Sequence, residues 1–102
     1  MIEKKCLLVV DVTVDPGVEA EWNRWYDEVH LPDILGCPGF LRASRYVSEA
    51  EGKRHYLTVY DLASADAVKS EQFAKRRGWY QFAGKVVAVV RVYDEIFAMK
   101  AA

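Results

Sequence analysis

The stretch WNRWYDEVHLPD, Trp22–Asp33, decides how the chain is read. Upstream, Asp15 can accept the first free amides of a helix, and Pro16 suits a first helical position where no amide partner is needed. Glu19 and Glu21 favour the positive end of its dipole. Val18, Trp22, Trp25, Tyr26 and Val29 then recur at i, i+4, i+7, i+8 and i+11, a single apolar stripe along one helix. Pro32 disfavours helical geometry at Leu31, so the spacing predicts that the helix stops near His30 or Leu31.

Working outward, Lys5–Val14 is rich in β-branched residues and reads as a strand covered on both faces. GCPG at Gly36–Gly39 is loop punctuation. Phe40–Val47 alternates as a second strand, Glu49–Gly52 turns the chain, and Arg54–Leu62 returns as a third. Ser64 caps a second helix over Ala65–Arg77, where the off-stripe position of Phe73 predicts a break near Ser70. Gly78–Gly84 is a loop with heavy aromatic content, and Lys85–Met99 closes the chain as its longest strand. The order β-α-β-β-α-β implies a ferredoxin-like α+β fold: a four-stranded antiparallel sheet with two helices on one face. Val87, Val89 and Phe97 fall on one side of the last strand, and Val86, Ala88, Val90, Val92 and Ile96 on the other. A two-layer monomer leaves one of these apolar sides bare, expected to be that of Val87 and Val89, which predicts a homodimer with its sheets face to face.

Bulk composition narrows the function. With 102 residues, the chain is expected to form one domain over residues 1–102. A formal net charge of −1 supplies no electrostatic footprint for nucleic acid or an anionic membrane. Lys75–Arg77 is the longest basic cluster and reads as solvated helix surface. Asp11 interrupts the first apolar run before it can serve as a signal sequence, and Val86–Val90 is too short to span a bilayer, so a cytoplasmic protein is expected. Cys6 and Cys37 lack CxxC spacing and read as buried free thiols. Two histidines, His30 and His55, without paired spacing argue against a metal site, and no phosphate loop or Ser-His-Asp arrangement is visible. His55, beside a turn, is expected at the surface. Neither metal nor organic cofactor is expected.

The run EWNRWYDEVHLPDILGCPGFLRASRY resembles the helix-to-second-strand signature of the dimeric α+β barrel superfamily, in its EthD-like branch. The matching residues are Trp25, Tyr26, His30, Pro32, Pro38, Gly39, Phe40, Arg45 and Tyr46. The resemblance covers roughly residues 5–97 and loosens after Ser70, where relatives carry a longer helix and loop. It implies a dimeric barrel. It also implies a choice among cofactor-free oxygenation of polycyclic phenols, polyketide cyclisation, lactone isomerisation and haem or dye chemistry. A fold does not choose among these; only the site can.

On a helix, Asn23, Tyr26 and His30 lie three or four residues apart and form one ridge. An imidazole at the rim of a helix–sheet cleft is the natural proton carrier near neutral pH, with Tyr26 or Asp27 placed to fix its tautomer. The nearby helix C-terminus is expected to raise its pKa. His30 and Tyr26 are therefore the candidate catalytic residues, and Asn23, Trp25, Arg45, Tyr60 and Trp79 the candidate substrate-binding ones. Arg45 and Arg42 lie on opposite strand faces, and a buried Arg45 needs an anion, either Asp11, Asp61 or a substrate oxyanion. The bland alternatives stand beside these: His30 as a helix cap, the aromatics as core, Arg45 in a structural ion pair. The expected function is cofactor-free proton transfer on a small aromatic or polyketide-like molecule. Haem binding with His30 as axial ligand, packed by Trp25 and Trp79, and a non-catalytic ligand binder are the alternatives.

Overall fold

A computed structural model describes residues 4–102. Strand β1 (Cys6–Val14) leads through a single 3-10 turn, Pro16–Val18, into helix α1 (Glu19–Trp25). The Asp15 side chain accepts from the Gly17 amide at 2.8 Å, the cap its position predicts. A π-helical turn (Tyr26–His30) then joins α1 to helix α2 (Leu31–Leu35). Strands β2 (Phe40–Ala50) and β3 (Lys53–Leu62) form a hairpin whose two turn residues, Glu51 and Gly52, both have positive φ. That geometry suits the twist of the flanking strands. Ser64 caps a short 3-10 turn (Ala65–Lys69), and Ser70 restarts the chain as helix α3 (Glu71–Arg76), its hydroxyl accepting from the Phe73 amide. The break predicted at Ser70 is there. Strand β4 (Val86–Asp94) follows a last 3-10 turn, Tyr80–Phe82.

All pairings are antiparallel, in the spatial order β2-β3-β1-β4. With the helical segments 16–35 and 65–76 packed on one face, this is the ferredoxin-like fold. The register sorts the faces. Leu8, Val10 and Val12 of β1 sit opposite Tyr60, Thr58 and Tyr56 of β3, and all six are buried beneath the helices. An irregularity at Leu41 shifts the register of β2, so Phe40, Ala43 and Arg45 share the helix side while Arg42 faces away. Gly39 precedes it at φ +83°, where an added Cβ would stand 2.9 Å from the Ala67 Cβ. Only glycine fits both demands.

The opposite sheet face carries Leu7, Val9, Leu57, Val59, Val87 and Val89, with no helix over it. Val87 is 72% exposed and Val89 49%, on the uncovered side as predicted. Cys37 is a buried free thiol, as expected, while Cys6 is a free thiol that is only half-buried.

Four expectations need correction. The first helix does not stop at Leu31; the Leu31 amide bonds to the Tyr26 carbonyl, five residues back, and helical geometry continues to Leu35. The wide turn sits just ahead of Pro32, which is itself a first-turn residue of α2, where its missing amide costs little. Val29, expected in the apolar stripe, is 55% exposed, because the extra residue in the π turn rotates it outward. The last strand ends at Asp94 rather than Met99. Among the described residues its one neighbour is β1, which begins at Cys6 opposite Asp94, and the Glu95 amide to Lys5 carbonyl bond of 2.8 Å is the last rung. Finally, His55 is half-buried rather than exposed.

Candidate functional site

Trp22, Tyr26, His30 and Ile34 point from the first helix toward the sheet and are all buried. On the β1/β4 side of that row the layers part. A cavity of about 320 Å³ remains, walled by Leu8, Val10, Phe73 and Val90, with Tyr26, His30, Tyr60 and Trp79 as its aromatic and polar members. The volume lies in the range of small-molecule sites. A larger hollow, about 730 Å³ and no more open than the first, lies at the β2–β3 turn end of the sheet among Asp15, Glu19, Lys53 and Arg54, and gathers none of the candidate residues.

His30 is 6% exposed, not at a rim. Trp25 lies flat against its imidazole, with ring centroids 4.6 Å apart and planes 14° apart, and Tyr26 meets it edge-on at 5.1 Å. Trp79 completes the enclosure at 5.7 Å. Burial lowers the His30 pKa from 6.5 to about 4, against a smaller opposing pull from Asp33. The expected rise is thus reversed. The helix runs on past His30, so its free carbonyls lie elsewhere, and desolvation of the cation decides the sign. At neutral pH the imidazole is uncharged and able to accept a proton.

Burial also pushes up the phenol pKa of Tyr26 and of Tyr60, and each of the two stands close enough to affect the other. The Tyr26 hydroxyl is buried and makes no well-aligned hydrogen bond among the described residues, although the Thr58 and Tyr60 hydroxyls stand close enough to favour its ionised form. An unpaired buried hydroxyl is costly, and a ligand oxygen or a water would satisfy it. Neither Tyr26 nor Asp27 fixes the His30 tautomer as expected: Tyr26 contacts the imidazole edge-on, and Asp27 is engaged elsewhere.

Its partner is Arg45. Arg45 Nη1 lies 2.6 Å from Asp27 Oδ1, and Nη2 donates to Asn23 Oδ1 at 2.9 Å. Asn23 Nδ2 donates to the Tyr56 hydroxyl at 3.1 Å; that hydroxyl donates in turn to Glu19, which also pairs with Arg54 at 3.0 Å. The anion of Arg45 is therefore Asp27, not Asp11 or Asp61. The guanidinium also lies over the Tyr26 ring at 4.4 Å and the Trp22 ring at 5.1 Å.

Of the seven candidate residues, the cavity brings together four: His30, Tyr26, Tyr60 and Trp79. Trp25 backs the imidazole from outside, while Asn23 and Arg45 lie on the far side of the Tyr26 ring. Phe73, Val68 and Gly78 also line the cavity and were not foreseen. The off-stripe Phe73 was the one signal for this wall. Among the described residues, no group of three His, Cys, Asp or Glu side chains could hold a metal ion, and no helix is long and apolar enough to cross a membrane.

Residues 5–96 match the family described as Domain of unknown function (DUF4286). No curated protein sequence matches the chain. Among solved structures it is similar to a variant of SnoaB, a cofactor-independent oxygenase from Streptomyces nogalater. The two share 14% identity at a TM-score of 0.72, over 97% of this chain and 100% of that one. A putative antibiotic biosynthesis monooxygenase from Bordetella bronchiseptica shares 18% identity at a TM-score of 0.67, over 95% and 100% of the two chains. An ethyl tert-butyl ether d (EthD) family protein from Bacillus halodurans shares 9% at 0.63, over 84% and 96%. At such identities the likeness shows the fold alone, the ferredoxin-like α+β arrangement described above.

Proposed function

We infer the function from the site itself, because the chain belongs to the family Domain of unknown function (DUF4286), whose description names no activity. The reading is an enzyme working without metal or organic cofactor on a small aromatic or polyketide-like molecule. The observation that carries it is an uncharged imidazole, His30, sharing a cavity with the phenol side chains of Tyr26 and Tyr60. In the proposed step a substrate O–H or acidic C–H loses its proton to a His30 ring nitrogen. The electron pair stays on the substrate as an oxyanion or enolate, which the two phenol hydroxyls receive as hydrogen-bond donors. Return of that proton to another substrate atom completes an isomerisation, a cyclisation or an elimination; with dioxygen as co-substrate the same anion is the species oxygenated. Trp79 supplies a flat wall for the ligand, Trp25 holds the imidazole in place, and Asn23 and Arg45 support Tyr26 from behind.

The cofactor-independent oxygenase among the similar structures agrees with this reading. So does the W-Y-x-x-x-H-x-P spacing, which favours the EthD-like branch, with residues 1–102 as one domain in the cytoplasm. The apolar sheet face supports a homodimer, and a dimeric ferredoxin-like protein stands among the similar structures. Sedimentation returning a stable, folded monomer at micromolar concentration would remove that part.

The proton transfer is tested directly by NMR, as deuterium exchange into a panel of polycyclic phenols and enolisable aryl ketones. His30→Gln, close to the imidazole in size, should slow exchange by about 10²–10⁴-fold. In the wild-type protein, the rate of the free enzyme should fall as pH drops through about 4, when the imidazole becomes cationic. Wild-type exchange rates in the variant would reduce His30 to a packing residue.

A further inference from the structure

The polar groups behind the cavity raise a separate question. Arg45 is a cation with only 14% of its side chain exposed, placed 4.4 Å from the centre of the Tyr26 ring. Its Nε is buried without a hydrogen-bond partner. Its one carboxylate partner, Asp27, is 61% exposed and is therefore largely screened by water. The positive charge is thus only partly neutralised where it lies over the ring of Tyr26, a residue that lines the cavity. A cation over an aromatic face withdraws electron density from the ring, which makes a phenol hydroxyl a stronger donor and a better host for negative charge.

Resting on the proposed reading of the cavity as an aromatic-ligand site, we propose that Arg45 and Asp27 form a two-part electrostatic setting for Tyr26. Arg45 is its positioning residue, acting through the ring, and the site binds hydroxylated aromatics as their oxyanions. Asp27 opposes it by partly cancelling the charge. Arg45 also depresses the pKa of both Tyr26 and Tyr60, against the larger effect of burial. The other groups facing Tyr26 are uncharged at neutral pH: Thr58, Tyr60 and His30. Arg77 and Arg91, which also line the cavity, are common to every variant below.

The distinguishing consequence is a pair of opposite effects from two substitutions outside the cavity. The probe is 4-nitrophenol, whose ionised form has its own absorption band, so the ionised fraction of the bound molecule can be read across pH. Arg45→Gln should lower the acid ionisation constant of the bound probe by about two- to thirty-fold, the span of a desolvated cation–π contact. Arg45→Lys should recover part of it. Asp27→Asn keeps the amide acceptor for Arg45 but removes the opposing charge, and should raise the constant by about two- to fivefold. A merely structural role for Arg45 predicts no change in Asp27→Asn, or a change in the same direction as Arg45→Gln; either result overturns the inference. If Arg45→Gln does not fold, Asp27→Asn decides alone, since its carboxylate is mostly in solvent. Failure of 4-nitrophenol to bind the wild-type cavity at all would instead overturn the reading on which the inference rests, and the inference with it.

Discussion

The first helix has two flanks that solve the same packing problem in opposite ways. Toward β2 and β3 it is tied down by a continuous polar ladder running Asp27, Arg45, Asn23, Tyr56, Glu19, Arg54. Along it, Arg45 Nε is the one buried donor without an acceptor among the described residues. Toward β1 and β4 the same helix presents the Tyr26 phenol and the His30 imidazole to a space of about 320 Å³, and the Tyr26 hydroxyl has no well-aligned partner among the described residues. A satisfied polar network fixes one arrangement of its members, whereas an unsatisfied group in an apolar space is a demand that a ligand can meet. The ladder flank thus reads as anchorage and the hollow flank as the working side, and the rings of Trp22 and Tyr26 form the partition.

The severest way to break this division is to remove the partition. Trp22 is fully buried and touches Tyr26, Tyr56 and Trp79. Trp22→Ala should cost about 3–5 kcal/mol, a large part of a total stability of about 5–15 kcal/mol. Urea denaturation of the variant should show a midpoint greatly lowered or no folded baseline. A stable variant would mean that the flanks are held apart by something else.

Acid tests the hollow flank alone. The unfolded imidazole of His30 takes up its proton near pH 6.5, and the folded one only near 4. Within that window the unfolded state binds more protons, so stability falls as pH falls. The loss should reach about 3 kcal/mol once both forms are charged. Denaturation midpoints measured from pH 7 to 4 should show this slope in the wild type and lack that part of it in His30→Gln. An unchanged slope would place the imidazole in contact with water.

The smallest effect sharpens the other flank. Tyr56→Phe deletes the hydroxyl between Asn23 and Glu19. It should cost about 1 kcal/mol, since both neighbours reach water. Calorimetric binding of an aromatic phenol to the cavity should be unaltered. A loss of binding would show that the ladder shapes the hollow side and does not merely anchor the helix.

Much of the architecture was legible because it follows local rules. Asp15, Ser64 and Ser70 each cap what they precede, the off-stripe Phe73 marked the break in the second helix, and alternation put Val87 and Val89 on the uncovered face. The site was legible only as a set of residue types. His30, Tyr26, Tyr60 and Trp79 were named, yet the imidazole was expected at a rim with a raised pKa. Those expectations assumed regular 3.6-residue winding and a proline that ends a helix. A π turn satisfies the proline differently, and nothing in local propensity announces one. The partner of Arg45 was missed for a related reason: Asp27 lies eighteen residues away, and only the packed helix brings it over the strand.

That turn has a further consequence, in the geometry of phase. Regular α-helical winding advances about 100° per residue, so residues four apart creep by about 40° at each step. The row Trp22, Tyr26, His30, Ile34 would then fan across about 120°, and its far members would leave the sheet. The wide turn at Tyr26–His30 spends roughly one extra residue on its circuit, which sets the creep back midway along the row. All four side chains stay under cover. No hydrogen bond from a described side chain aims the imidazole; its bearing is set by the pitch of the backbone beneath it, as the teeth of a gear are aimed by the shaft.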